Sequence, residues 1–131
     1  MIESTLAAIR GHALASYPHE SCGLICIIRG KERYIPCRNT AETASEHFQL
    51  SAEDYANAED RGEITHIVHS HPDVAARPSE ADKVACEASG LPWAIVSVID
   101  GIAGEINVFE PSGYEAPLIG REFSHGVTDC V

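Results

Sequence analysis

Two histidines stand two residues apart in His69-Ser70-His71-Pro72, and a hydroxyl and a carboxylate follow in Ser79-Glu80-Ala81-Asp82. Neutral imidazoles suit zinc and other borderline metals. On a strand, positions two apart leave the same face, so His69 and His71 are expected to point together. Pro72 ends the strand, the loop 73–78 reverses the chain, and a helix opening at Ser79 carries Asp82 in its first turn, within reach of both histidines. Three protein ligands and one open position are what a catalytic zinc needs, whereas a structural site is closed by four. Water in that position would have its pKa lowered to about 7. A base must take its proton and pass it to the leaving amine, and Glu20, just before an apolar strand, is the candidate. Ser79 is placed to donate a hydrogen bond to the oxyanion of a tetrahedral intermediate.

Each of these residues has a plainer reading. The histidine pair can be the wet side of a half-exposed strand, Ser79-x-x-Asp82 can be only a helix cap, and Glu20 can be a solvated loop carboxylate. What favours a metal site is the whole spacing taken together, with the upstream Glu20-x-Cys22-Gly23-Leu24 included.

The elements that must hold these groups can be read from periodicity. Ile2, Leu6, Ile9, Ala13 and Leu14 recur at helical spacing over 2–16, and Pro18 ends that pattern. The apolar run 22–29 suits a buried strand; Gly30-Lys31 is expected to turn, and 32–36 to return. Residues 37–46 read as loop and 47–50 as a short extended piece. Ser51 is an N-cap for a helix reaching Arg61 before Gly62. Over 63–70 strict alternation puts Ile64, His66, Val68 and Ser70 on one side and Thr65, Ile67, His69 and His71 on the other. A capped helix runs from Ser79 to Gly90, 93–99 is an apolar strand, Asp100-Gly101 a turn, and 104–109 the returning strand. This order implies an α/β (α+β) domain, a mixed sheet flanked by helices.

The 131 residues carry a formal charge of −11, which opposes nucleic acid and an anionic membrane leaflet as partners. No apolar run approaches a membrane span, and no secretory signal opens the chain, so a cytoplasmic location is expected. Five cysteines at irregular spacing, without a CxxC pair, read as reduced and mostly buried thiols. His12, His19, His47, His66 and His125 are expected to be structural or solvent-exposed, and His47 is the one to check for closeness to the site.

The pattern His69-x-His71, seven intervening residues, then Ser79-x-x-Asp82 resembles the JAMM motif of the JAB1/MPN/Mov34 metalloprotease family, and 17–24 is similar to the segment bearing that family's glutamate. The resemblance covers about residues 1–110. It implies a curved mixed sheet flanked by helices, cytidine-deaminase-like, with Zn2+ at one end of the sheet. Residue by residue, it implies that His69, His71 and Asp82 are ligands, Glu20 the acid/base and Ser79 the oxyanion donor. It also implies an amide or isopeptide bond in a peptide or protein as substrate.

Residues 111–131 read as a linker. Their last part, with Asp129-Cys130, resembles the opening of an NlpC/P60 cysteine peptidase domain. The histidine that such a thiolate needs does not follow, so Cys130 is not expected to act here; either the sequence is truncated within that opening or the second domain is encoded separately. A JAMM domain followed by this opening resembles the tail-tip assembly proteins of lambda-like phages. That implies a zinc peptidase of a phage or prophage tail, acting in tail assembly or on peptidoglycan, with phage tail proteins as partners and a virion-tail association. Two alternatives stand beside it: a hydrolase of ubiquitin-like sulfur-carrier proteins, and a non-catalytic structural tail-tip component.

Overall fold

The computed structural model describes residues 1–111 and the backbone of 115–116. The elements run α1 (Glu3–Ser16), β1 (Cys22–Ile28), β2 (Lys31–Cys37), α2 (Ala52–Arg61), β3 (Glu63–Pro72), α3 (Glu80–Ser89), β4 (Trp93–Ile99), β5 (Ile102–Phe109) and β6 (Glu115–Ala116). They build one mixed sheet in the order β2-β1-β3-β4-β5-β6. Only the central β3–β4 pair is parallel, and α3 makes the crossover between its strands. The expected mixed sheet flanked by helices is the observed fold.

Local chemistry explains most boundaries. Ser51 caps α2 by accepting from the Asp54 N–H at 3.2 Å, and Glu53, Asp54 and Arg61 complement the helix dipole at its two ends. Arg29-Gly30 (φ 53° and 77°) and Asp100-Gly101 (φ 53° and 76°) are left-handed pairs, the conformation that two-residue hairpins demand. Gly23 meets a different constraint: a β-carbon there would overlap the Tyr34 phenol and the Ile35 carbonyl across the β1–β2 pair.

Each face of the sheet has its own core. Ile9 and Ala13 of α1 pack on Ile25, Val68, Ala94, Val96, Val98, Ile106 and Val108. On the other face, Ala58 of α2 packs with Cys22, Leu24, Cys26 and Cys37, extended by Phe48, Leu50, Tyr55 and Ile67. Cys22, Cys26, Cys37 and Cys86 are all free and buried, as their spacing implied.

Four local expectations are corrected. The first hairpin turns at Arg29-Gly30, one residue early, because both central residues must take positive φ. The strand expected at 104–109 begins at Ile102, directly after its two-residue turn. In α1 the stripe is narrower than the sequence suggested: Leu14 is exposed, and Thr5 is buried beside Ile9. Most telling is β3, where alternation is not strict. The register with β1 shifts between Ile25 and Cys26, so Ile64 pairs with Cys26 and joins Ile67 in the α2-side core. Thr65, whose hydroxyl donates to the Ile25 carbonyl at 3.2 Å, is the extra residue of this bulge. The linker and NlpC/P60-like segment, with His125 and Cys130, lies outside the described residues apart from Pro111 and the β6 backbone, which pairs with Val108 and Phe109.

Candidate metal centre

β3 runs through Pro72, so His69 and His71 both lie within it and present their rings to one side. Register places His69 between Cys22 of β1 and Ile95 of β4, in the middle of the sheet. Asp82 arrives from the first turn of α3. There the expected cap is present in full: the Ser79 hydroxyl accepts from the Asp82 N–H at 3.0 Å, and Asp82 Oδ2 accepts from the Ser79 N–H at 2.9 Å. The cap and the metal-ligand readings of Ser79-x-x-Asp82 are therefore the same geometry. One nitrogen of each histidine and one oxygen of Asp82 lie within 4.8 Å of one another, and all three residues are buried.

The donor set fits a cation. His71 Nδ1 lies 2.8 Å from the Ala75 carbonyl, which can only accept, so Nδ1 carries the proton. In a neutral ring that leaves a lone pair on Nε2, yet Nε2 stands 3.0 Å from Asp82 Oδ2. His69 is placed the same way twice over. Its Nε2 is 3.3 Å from Asp82 Oδ1 and its Nδ1 is 3.3 Å from Glu20 Oε1, so in the neutral ring one of the two nitrogens must turn a lone pair toward a carboxylate. Lone pairs facing carboxylates need either a proton or a metal ion between them. Without metal the proton is favoured. Burial lowers the His69 pKa, but hydrogen bonding and charge from Asp82 and Glu20 outweigh it and raise the value to about 9. For Asp82, burial acts upward, while His69, His71 and the Ser79 N–H hold it well below the usual carboxylate range.

Glu20 is buried on the loop between α1 and β1. Its backbone is fixed from both sides: its N–H donates to the Ala44 carbonyl at 2.7 Å, and its carbonyl accepts from Asn39 Nδ2 at 3.0 Å. The next residue locks to β3 by a reciprocal pair, with the Ser21 N–H donating to Ser70 Oγ at 2.7 Å and the Ser70 N–H to the Ser21 carbonyl at 3.0 Å. The middle residue of the histidine motif thus anchors the glutamate loop. Across the site, the Tyr17 hydroxyl donates to Asp73 at 2.7 Å, joining the loop before Glu20 to the loop after His71.

Glu20, His71, Ser79 and Asp82 line one cleft of about 620 Å³ together with the apolar Phe48, Leu50, Tyr55, Ile67 and Trp93. Ser79 Oγ accepts the Asp82 N–H but keeps its own hydrogen to donate. All five residues proposed from the sequence are thus brought together, and His47 lines the same cleft. Sequence reasoning missed Phe48, whose ring stacks on His69 at 4.5 Å and 20°, and Trp93, which meets His69 edge-on at 5.5 Å. An apolar residue after His47 in a polar loop was the available signal.

Comparison with known proteins agrees with this geometry. The family described as prokaryotic homologs of the JAB domain matches residues 3–109. The chain is 48% identical over 130 residues to the tail tip assembly protein K of Escherichia phage N15, covering 99% of this chain and 52% of that protein, so it spans about half the length of that relative. In fold it is similar to a Desulfitobacterium hafniense protein solved in solution (TM-score 0.72, 24% identity, 95% of this chain and 94% of the other). It is also similar to a structure described as a JAMM metalloprotease-like zinc site in the proteasome and signalosome (TM-score 0.60, 20% identity, 88% and 90%). Among the described residues, no helix is long and apolar enough to cross a membrane. With the match spanning nearly all of the described domain, the chain belongs to the prokaryotic JAB-domain family.

Proposed function

We propose that this domain is a zinc-dependent metallopeptidase that hydrolyses an amide or isopeptide bond in a peptide or protein, in phage or prophage tail assembly or in peptidoglycan processing. One observation carries it: His69, His71 and Asp82 converge beside a cleft that His71, Asp82 and Glu20 line, with the buried Glu20 carboxylate against His69. A cap or a wet strand face would require no such convergence. Held by His69, His71 and Asp82, zinc would supply Lewis-acid polarisation and lower the pKa of water to about 7.

The chain's own groups then divide the remaining work. Glu20 holds its carboxylate at the cleft wall, where it can take a proton from the attacking water and pass it to the leaving nitrogen. Ser79 presents a hydroxyl hydrogen to the oxygen that gains charge as the carbonyl becomes tetrahedral. The apolar wall from Phe48 to Trp93 holds the substrate and thins the water around these groups, which strengthens both interactions.

The relationship to a phage tail tip assembly protein also favours a structural role in the tail, with tail proteins as partners. One comparison separates the two. Zinc content and peptide release are measured for the native chain and for Glu20→Gln, against a panel of tail-protein and peptidoglycan peptides. Zinc retained in both, with release lost in the variant, establishes the peptidase. Zinc bound in both with no release from either leaves the structural role.

A further inference from the structure

We propose that Asn39 is a positioning residue, setting Glu20 and Phe48 against His69 through one side-chain amide; this rests on the acid/base role of Glu20 proposed above. Between β2 and α2 the chain has no helix or strand beyond the single Asn39–Leu50 bridge, and side-chain bonds add to a few backbone ones, such as Thr40 N–H to the Gln49 carbonyl at 2.8 Å, in shaping the loop. Within the loop, the Asn39 side chain reaches the most backbone groups. Its Nδ2 donates to the Glu20 carbonyl at 3.0 Å and the His47 carbonyl at 3.0 Å, with the Ala44 carbonyl further off at 3.5 Å. Its Oδ1 accepts from the Ala41 and Gln49 N–H groups, both at 3.0 Å.

An amide has two donor hydrogens and two acceptor lone pairs, and here all four are used. The partners also dictate which end is which, since carbonyls face Nδ2 and N–H groups face Oδ1.

What these bonds reach is the point. Glu20 is the residue whose carboxylate lies 3.3 Å from His69 Nδ1. His47 and Gln49 flank Phe48, whose ring stacks on His69 at 4.5 Å. A single side chain therefore ties together the group at one edge of the His69 ring and the group on its face. Asn39 itself contributes no atom to the His69-His71-Asp82 cluster.

Asn39→Asp is the informative variant. It is isosteric and keeps the Oδ1 acceptor, but it sets an oxygen against the Glu20 and His47 carbonyls and releases both. The control is Thr40→Val, which removes a bond in the same loop, from Thr40 Oγ1 to the Gln49 carbonyl at 3.0 Å, and leaves Glu20 untouched.

The test loads each full chain with Co2+ and records the visible absorption against pH, together with Co2+ affinity. The expected result is one equivalent of Co2+ bound with affinity within a few-fold of the native chain in every case. Asn39→Asp should shift the spectrum and its pH midpoint in the direction that Glu20→Gln does, and Thr40→Val should leave both unchanged. A shift in Glu20→Gln with none in Asn39→Asp overturns the positioning role alone. No shift in Glu20→Gln overturns the acid/base role of Glu20 and this inference with it. Should Asn39→Asp not fold, native-state hydrogen exchange on the unaltered chain decides. The Glu20 and Gln49 amides, bonded to the Ala44 carbonyl and to Asn39 Oδ1, should open as one unit, and independent opening overturns the proposal.

Discussion

Asp82 Oδ2 sits between two partners of different kinds: the Ser79 N–H at 2.9 Å, which caps α3, and His71 Nε2 at 3.0 Å, which belongs to the candidate metal cluster. A single oxygen thereby couples the start of a helix to the geometry of a candidate ligand set. His69, His71 and the Ser79 N–H hold the carboxylate ionised, and the cap keeps it aimed before any ion arrives.

That coupling makes Ser79→Ala a two-part experiment. Losing the hydroxyl removes the bond to the Asp82 N–H, so the metal-free chain should lose about 1 kcal/mol in urea unfolding. Asp82 also loses part of its support, and zinc affinity should fall roughly 10-fold, as for other residues that orient metal ligands. Ser79→Thr keeps the cap and should restore both. Unchanged zinc affinity with lowered stability would mean that the box serves the helix alone.

Protons and metal should oppose each other here with a definite sign. The His69 pKa is raised to about 9, so in the metal-free chain its stabilising contribution is complete below the ordinary 6.5 and is lost as pH rises through about 9. Asp82 is held low, so its contribution is present above the ordinary 3.8 and is lost as pH falls further. Zinc needs the histidines deprotonated, and its stabilisation should grow over the same interval in which the metal-free chain weakens. Melting curves from pH 6 to 9.5 should therefore fall with pH in chelator and stay nearly level in zinc, so that the gap between them widens. At zinc about 1,000-fold above its Kd the gap should reach roughly 4 kcal/mol. Parallel slopes would show that His69 carries no proton for zinc to displace.

Phe48→Leu keeps an apolar side chain in the cleft but ends the stack on His69 and the edge contact with Trp93 at 5.4 Å. The chain should lose about 1 kcal/mol in urea, the usual worth of such aromatic contacts. Phe48→Tyr, which keeps the ring, should stay near the native value. Equal losses in the two variants would assign the effect to volume and not to stacking.

At Gly23 the prediction concerns the strand that carries the glutamate loop. Gly23→Ala would press a methyl group into the Tyr34 phenol and the Ile35 carbonyl, and should destabilise by about 2 kcal/mol, as overpacked sites do. Tyr34 accepts no displacement cheaply, since its hydroxyl is bonded to His12 Nδ1 at 2.6 Å. Gly23→Ala combined with Tyr34→Phe relieves only part of the overlap, because the Ile35 carbonyl remains. A neutral Gly23→Ala would show that β1 and β2 can separate without cost.

By itself the sequence determined the donor types and their local settings. Spacing of two along a strand turns His69 and His71 the same way, and Ser79-x-x-Asp82 writes a helix start, because both are rules of local backbone geometry. Only the tertiary structure decided that these pieces meet. The parallel β3–β4 pairing, crossed by α3, brings Asp82 back over the two histidines, and the antiparallel β1–β3 register sets Glu20 at the edge of His69. The bulge at Thr65 was equally beyond local reading, since an extra residue in a strand is defined only by the register with its partner. Phe48 and Asn39 escaped for the same reason: in a loop without periodicity, what a side chain does depends on which distant backbone it reaches.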